Sequence, residues 1–152
     1  MRALLDVNVL IALNDQSHIH HLSASRWLAQ HMHLGWASCP LTQNGMLRIM
    51  SQTSYPNAQS LSVLCELLRA ETQHPSHAFW PDDVSLIDEG VIDADKLLSP
   101  RQITDAYLLA LAVKRGGRLI TLDKRIPLNS VKGAKDERSE EHTSELQSRG
   151  LI

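Results

Sequence analysis

The sequence predicts one α/β domain with a mainly parallel β-sheet. Three observations point to this fold class: short apolar runs alternate with helical patterns, the connections between them are short, and two of the apolar runs end on an aspartate. The chain has 152 residues, of which 43% are apolar and 21% are charged. That length and composition are typical of one globular domain with a single core.

The N-terminal segment predicts a buried strand followed by a short helix. Residues 3–6, ALLD, form an apolar run that ends on Asp6, and VLIAL then opens the helix. The next helix is predicted within HIHHLSASRWLAQHM, with Ser17 as its cap and Gly35 at its end. We interpret the histidines of HIHH as solvated or capping residues rather than as a zinc site.

The middle of the chain predicts a second strand, two helices and a third strand. GWASC has the pattern of a short strand closed by Pro40, and LTQNGMLRIMS after it has mixed helical spacing. YPNAQSLSVLCELLRAE predicts an amphipathic helix, and DVSLID is the third strand candidate. The leucines expected on one face of that helix are Leu61, Leu64, Leu67 and Leu68.

The segment SPRQITDAYLLALAVKRGG carries the strongest helix signal of the chain. Ser99 and Gln102 have the spacing of a capping box, and Pro100 fits the first helical position. The glycine pair that begins at Gly116 is expected to end the helix. RLITLD follows directly, so that a second apolar strand is predicted to end on an aspartate, Asp123.

The distribution of charge and the length of the apolar runs indicate a possible polyanion-binding segment and argue against a membrane span. The net charge is −2, but seven of the eight charged residues from Lys114 to Lys135 are basic, a pattern that either binds a polyanion or forms a solvated surface. The longest apolar run, AYLLALAV, is far shorter than the roughly 20 residues of a membrane span. Asp6 and Asn8 break the N-terminal run too early for a signal peptide, so we expect a cytoplasmic protein.

The last fourteen residues, SEEHTSELQSRGLI, differ in character from the rest of the chain. They carry three Glu and one Arg, and they show neither the alternation of a strand nor a helical stripe. RSEEHTSELQSR resembles a translated sequencing adaptor fused to a shortened reading frame. We therefore assign residues 1–138 to the domain and treat residues 139–152 as an atypical tail.

Three aspartates are expected to meet at one edge of the sheet. Asp6 and Asp123 end predicted parallel strands, whose carboxyl ends form the ligand sites of such sheets. Asp105 lies near the start of the long helix, where unpaired N–H groups favour a carboxylate. Two carboxylates 4 Å apart repel by about 4 kcal/mol at an effective dielectric constant of 20, so three need a shared cation. Mg²⁺ or Mn²⁺ suits such an all-oxygen site.

The segments LLDVNVLIAL, TDAYLLALAV and LITLD together resemble the PIN-domain nucleases, and most closely the VapC toxins of VapBC toxin–antitoxin pairs. CPLTQNGMLRI is similar to the segment that lies between them in VapC proteins. The resemblance covers roughly residues 1–138. It implies a three-layer α/β/α sandwich that cleaves RNA at a Mg²⁺ or Mn²⁺ site. It also implies two partners, a small VapB-like antitoxin and a second copy of the chain in a homodimer.

The resemblance also implies roles for individual residues. Asp6, Asp105 and Asp123 match the acidic metal positions of the family, and Asn8 matches a polar residue that supports the first acid. Thr104 and Thr121 match hydroxyl positions beside these acids, although a helix-start threonine and a strand threonine explain them equally well. Lys124 and Arg125 follow Asp123 and are expected to contact RNA phosphates without reading bases.

One position departs from the family pattern. Many VapC proteins have a glutamate where this chain has Gln43, and an amide supplies an oxygen but no negative charge and no base. We expect Gln43 to orient water or RNA beside a single divalent ion. A glutamate at this position is expected to tighten Mn²⁺ binding in calorimetry.

Two other interpretations and one structural expectation remain open. A phosphatase of the haloacid-dehalogenase type also opens with a strand-end aspartate, but it needs a second aspartate where this chain has Asn8. A catalytically silent PIN module that binds RNA or protein is compatible with Gln43 and the atypical tail. The family sheet usually ends with a strand near the C-terminus, and we expect that strand to be shortened or improvised within residues 139–152.

Overall fold

The computed structural model describes residues 1–134, and within them it contains a four-stranded sheet in which every strand pair is parallel. The last strand, which we predicted to be shortened or improvised within residues 139–152, lies outside the described residues. The strands are β1 (Ala3–Leu5), β2 (Trp36–Ser38), β3 (His77–Phe79) and β4 (Arg118–Ile120). Their order across the sheet is β3-β2-β1-β4, which places β1 between β2 and β4.

Helices connect the strands in the alternating order that the sequence predicts. Over residues 1–134, no helix is long and apolar enough to cross a membrane. The α-helices are α1 (Val7–Asn14), α2 (His21–His31), α3 (Pro40–Met50), α4 (Leu61–Thr72) and α5 (Ile103–Lys114). Short 3-10 turns cover Met32–Leu34, Ala94–Lys96, Pro100–Gln102 and Leu128–Ser130.

The helices lie on both faces of the sheet. Successive strand residues point to opposite faces, so the neighbours Leu4 and Leu5 enter different cores. Leu5 belongs to the core formed with α1 to α4, whereas Leu4 packs against Leu108 and Leu111 of α5. The predicted three-layer α/β/α sandwich is therefore confirmed.

The register of the sheet brings the carboxyl ends of three strands together. Leu5 is paired with Ile120, and Leu4 is paired with Ala37. The backbone N–H of Asp6 donates to the Ile120 carbonyl at 2.9 Å, immediately beyond the last pair. We call this end of the sheet, where Asp6, Ser38 and Thr121 follow or end their strands, the carboxyl edge.

The predicted third strand is wrong in position. Residues 83–88, DVSLID, are not a strand, and the strand that joins the sheet after α4 is β3. The backbone of Trp80 donates to the Ser38 carbonyl at 2.9 Å, after which the chain leaves the sheet at Pro81. Val84 and Leu86 are apolar because they pack against the core around α5, not because they alternate in a strand.

Two predicted helix starts also differ from the structure. α2 begins at His21, and the backbone N–H of Ser17 instead donates to Asp15, so Ser17 is not the cap. The side chain of Gln102 accepts from the backbone of Leu98 at 2.8 Å rather than from that of Ser99, so the expected capping box does not form. Ser99 caps the 3-10 turn that precedes α5.

Two further expectations concern single positions. Leu61 is 55% exposed, so it does not share the buried face of α4 with Leu64 and Leu68. Strand β4 ends at Ile120, three residues before the aspartate that was expected to close it. The glycine expected to end α5 is confirmed, since Gly116 has a φ of 65°, a left-handed conformation that favours glycine.

Candidate active site

Asp6 is a buried carboxylate at the junction of β1 and α1. Its Oδ1 accepts from the backbone N–H of Val7 at 2.7 Å, so it caps α1, and its Oδ2 accepts from the Thr121 hydroxyl at 2.7 Å. Burial raises the pKa of Asp6, the two hydrogen bonds oppose that rise, and the negative charge of Asp123 adds to it. The net result is a raised pKa despite two good donors.

Thr121 connects Asp6 with Asp123. Its hydroxyl oxygen accepts from the backbone N–H of Asp123 at 3.0 Å and from the Asn8 side chain at 3.4 Å. Because both of those partners donate, the single hydroxyl proton of Thr121 is directed to Asp6. The Asn8 oxygen accepts from the backbone of Leu122 at 3.1 Å, which anchors the loop after β4 to the start of α1.

Asp105 completes a group of three interacting acids. It lies half-buried in the first turn of α5, and burial followed by the charges of Asp6 and Asp123 raises its pKa to about 6. Asp123 is half-buried in the loop after β4 and accepts from the backbone of Arg125 at 2.8 Å. Within residues 1–134, no three His, Cys, Asp or Glu side chains are already arranged as a metal ligand set. The negative charges of the three acids disfavour one another's ionisation.

Gln43 lies in the first turn of α3 and is held by the end of strand β2. Its side-chain amide donates to the hydroxyl of Ser38 at 2.9 Å. The Ser38 hydroxyl also lies 2.8 Å from Nε2 of His77, on the neighbouring strand β3. Ser38 is fully buried, so these two contacts occupy a hydroxyl that water does not reach.

A cleft opens from two of the acids. It has a volume of about 670 Å³, and Asp105 and Asp123 lie in its wall. Three basic residues, Lys96, Arg101 and Arg125, line the same cleft. The wall of the cleft therefore carries both carboxylates and cationic groups, which suits a metal ion beside a polyanion.

The PIN-domain family model matches residues 3–132 of the chain. The chain belongs to the PIN-domain family. It is 50% identical over 134 residues to Ribonuclease VapC44 of Mycobacterium tuberculosis, and the match covers 88% of this chain and 94% of that protein. Ribonuclease VapC39 of the same organism is 45% identical over 124 residues, which are 81% of this chain and 89% of that protein.

A third relative extends the same result. Ribonuclease VapC38 of M. tuberculosis is 43% identical over 122 residues, with 80% of this chain and 84% of that protein covered. These matches confirm the resemblance to VapC proteins that the sequence segments indicate. In this PIN domain, the predicted acids are thus placed by a fold that the family shares.

The residues predicted to support the acids differ in their surroundings. Asn8 and Thr121 lie within the hydrogen-bonded group around Asp6, whereas Thr104 is exposed on the first turn of α5. Arg125 lines the same cleft as Asp105 and Asp123, and Lys124 is exposed but is not part of its wall. Within residues 1–134, the roles of these side chains stay predictions.

The structure divides the basic segment that the sequence singles out. Lys114 and Arg115 lie 3.3 and 2.7 Å from the carboxylate of Asp83, and Arg118 is buried. Lys135 lies outside the described residues. The segment is therefore not one continuous basic surface, and Arg125 is its member at the acidic cleft.

Four residues near the site are absent from the sequence prediction. Ser38 had a usable signal, because it is a polar residue at the end of a predicted strand, as Asp6 is. His77, Lys96 and Arg101 had none, since only the fold brings them close to the other groups.

Proposed function

We propose that this PIN domain is a metal-dependent endoribonuclease that hydrolyses RNA phosphodiester bonds as the toxin of a toxin–antitoxin pair. The observation that carries the proposal is the grouping of Asp6, Asp105 and Asp123 around the carboxyl edge, where burial and then the charges of the other two acids raise the pKa of Asp105 to about 6. The identity to proteins named Ribonuclease VapC supports RNA as the substrate.

The donor set fits a hard divalent cation, Mg²⁺ or Mn²⁺. Asp6, Asp105 and Asp123 offer carboxylate oxygens and an excess of negative charge, which such an ion would offset. When bound, the ion would lower the pKa of a water molecule and stabilise charge that develops on the phosphate. The Thr121 hydroxyl donates a hydrogen bond to the Asp6 carboxylate, so that acid is oriented before any ligand arrives.

The cleft supplies the surface for the RNA. Lys96, Arg101 and Arg125 would contact phosphates that flank the cleaved bond, and such contacts position the strand without reading its bases. The volume of about 670 Å³ is large enough to receive part of an RNA strand. Gln102 links two other residues that line the cleft, because it accepts from Leu98 at 2.8 Å and donates to the Arg125 carbonyl at 3.2 Å.

The decisive experiment compares RNA cleavage with and without Mn²⁺ in the wild type and in Asp105→Asn. Asp88→Asn is the matched control, because it makes the same change at an exposed position outside the acid group. We expect cleavage that needs the metal, persists in the control and is lost in Asp105→Asn. Equal cleavage by wild type and Asp105→Asn would identify a contaminating nuclease and favour the silent binding module.

The phosphate contacts can be measured separately, in EDTA, where cleavage does not interfere. Arg101→Ala is expected to weaken RNA binding and to reduce the slope of log affinity against log salt by roughly 0.7 per lost single-strand contact. Lys124→Ala is expected to have a smaller effect, because Lys124 is outside the wall of the cleft. Equal slopes for wild type and Arg101→Ala would remove Arg101 from the interface.

We further propose the partners that the resemblance implies. A small VapB-like antitoxin would cover the acidic cleft, and two copies of the chain would form a homodimer in the cytoplasm. Copurification of a small protein with this chain from its native host tests the first of these, and light scattering of the purified chain tests the second.

A further inference from the structure

A chain of three hydrogen bonds runs from the end of α4, through β3 and β2, to the start of α3. The carbonyl of Thr72 lies 3.0 Å from Nδ1 of His77, whose Nε2 lies 2.8 Å from the Ser38 hydroxyl. The Ser38 hydroxyl lies 2.9 Å from the side-chain amide of Gln43. We call these four residues the relay.

The Thr72 carbonyl sets the direction of every bond in the relay. A carbonyl only accepts, so Nδ1 of His77 must carry a proton. In a neutral imidazole the other nitrogen, Nε2, is then an acceptor, and the Ser38 hydroxyl must donate to it. Having used its one proton, Ser38 accepts from the next group, and only the NH₂ group of the Gln43 amide can donate.

The opposite orientation of the amide fails in the same network. If Oε1 of Gln43 faced Ser38, the hydroxyl would donate to it, and Nε2 of His77 would have to donate to Ser38. Nδ1 of a neutral ring would then lack a proton, and its lone pair would face the Thr72 carbonyl. The network therefore excludes this arrangement unless the ring is doubly protonated, independently of how the amide atoms are assigned.

The surroundings of His77 favour the neutral ring. Burial lowers the pKa of His77, the Thr72 carbonyl opposes that shift, and the positive charge of Arg2 adds to it. The His77 ring also lies 4.4 Å from the ring of Trp36, centroid to centroid. Ser38 between the two ends of the relay is fully buried, so water does not compete for its proton.

The relay ends at the carboxyl edge, because Gln43 is bonded to Ser38 at the end of β2 and lies on α3, which packs against α1. Gly45, two residues after Gln43, faces Val7 so closely that a Cβ on it would lie 2.6 Å from a Val7 methyl group. The second turn of α3 therefore lies directly against Val7, the residue that follows Asp6. We propose that His77 is a positioning residue which, through Ser38, holds the Gln43 amide with its Oε1 available to the carboxyl edge. There Oε1 accepts a hydrogen bond from water or RNA, a role that rests on the proposed nuclease function.

The relay itself is tested by ¹⁵N NMR of the imidazole nitrogens, without metal or RNA. At about pH 7 we expect the proton of His77 on Nδ1 in the wild type. In Gln43→Glu the carboxylate can only accept, so Ser38 donates to it and must accept from Nε2. Both ring nitrogens then carry protons, and the midpoint of His77 titration is expected to rise by at least about one pH unit, a tenfold change in proton affinity.

A double variant distinguishes two causes of a shift in the His77 titration: the hydrogen-bonded relay, and the electrostatic field of the new carboxylate alone. Adding Ser38→Ala to Gln43→Glu removes the hydroxyl link, so most of the shift at His77 is expected to vanish. Gln30→Glu, an exposed change on α2, is the matched control and should leave His77 unchanged. A proton on Nε2 in the wild type, or an equal shift with and without Ser38, would overturn the relay whether or not the chain is a nuclease.

The consequence for the reaction needs a donor and an acceptor at position 77. Glutamine can donate to Thr72 and accept from Ser38, so His77→Gln is expected to retain kcat. His77→Phe fills the site but can do neither, and a loss of about tenfold in kcat with little change in KM is expected. Equal kcat values for the two variants would overturn the positioning role.

Discussion

The two ends of helix α1 carry buried aspartates whose ionisation responds in opposite ways. Asp6 caps the N-terminus, where the helix dipole favours a negative charge, yet its pKa is raised. Asp15 is the C-terminal cap, where the dipole disfavours a negative charge, yet its pKa is lowered. The dipole, which is worth about 0.3–1 kcal/mol, therefore decides neither case.

The neighbours of each carboxylate explain the difference. Burial opposes ionisation of Asp15, but hydrogen bonds from Tyr55, Asn57 and the backbone of Ser17 outweigh it and lower its pKa. The Asn57 and Ser17 bonds are 2.9 and 3.0 Å long. Burial raises the pKa of Asp6 by more than its two donors lower it, and the charge of Asp123 adds to the rise. The charge of Asp15 is thus stabilised by hydrogen bonds within the fold, whereas the charge of Asp6 is not fully compensated and would be stabilised by a cation.

The largest expected effect is on catalysis at the N-terminal end. Asp6→Asn keeps a helix cap but removes a carboxylate from the acid group, so cleavage is expected to fall by about 10³-fold, equivalent to about 4 kcal/mol. Its free energy of unfolding should be unchanged or higher, because a repelled charge is lost. Asp15→Asn should cleave at the wild-type rate per folded molecule. Comparable rate losses in both variants would erase the distinction between the two ends.

The next largest effect is on stability at the C-terminal end. Asp15→Ala removes the acceptor of the half-buried Tyr55 hydroxyl and of the exposed Asn57 amide, so we expect the free energy of unfolding to fall by about 2 kcal/mol. Urea denaturation monitored by tryptophan fluorescence measures the change. Tyr55→Phe removes one of these bonds and should cost about half as much. A loss below about 0.5 kcal/mol in Asp15→Ala would show that this network does not stabilise the fold.

The smallest effect is on the pH dependence of stability, which we expect to have opposite signs for Asp105 and Asp15. The pKa of Asp105 in the folded protein, about 6, exceeds the value of about 3.9 in unfolded chains, so the fold gains stability as the pH falls through 6. The pKa of Asp15 is lowered, so its contribution is present at neutral pH and is lost as the pH falls below about 3.9.

Melting temperatures measured in EDTA at two pH values distinguish the contributions of Asp105 and Asp15. Asp105→Asn should melt above the wild type at about pH 7.5, and the difference should shrink by about pH 4.5. Asp15→Asn should melt below the wild type at both values. A constant advantage of Asp105→Asn across this range would contradict the repulsion between the acids.

Local patterns in the sequence predicted the positions of most members of the acid group. Asp6 follows an apolar run and Asp105 follows a helix-start signal, and both lie where those patterns place them. Asp123 lies three residues beyond β4, but its backbone bond to the Thr121 hydroxyl keeps it close to Asp6. The strand end was misplaced, yet the acid was placed near its partner.

Contacts between distant parts of the chain could not be predicted. Asp15 is satisfied by residues about forty positions away, and no local pattern links it to Tyr55 and Asn57. His77 reaches Ser38 only because β3 pairs with β2, and the apolar alternation of residues 83–88 pointed to the wrong strand. Side-chain pairing across strands follows from the register of the sheet, which a single sequence leaves open.

Calorimetric titration with Mn²⁺ at about pH 7.5 tests most directly whether Asp6, Asp105 and Asp123 share one cation. The wild type and the control Asp88→Asn should each bind one ion at the site with equal affinity. Asp105→Asn should bind it at least about tenfold more weakly, since a charged ligand is replaced by a neutral one. Equal affinities in the wild type and Asp105→Asn, or no binding to the wild type, would contradict a shared metal site at the carboxyl edge.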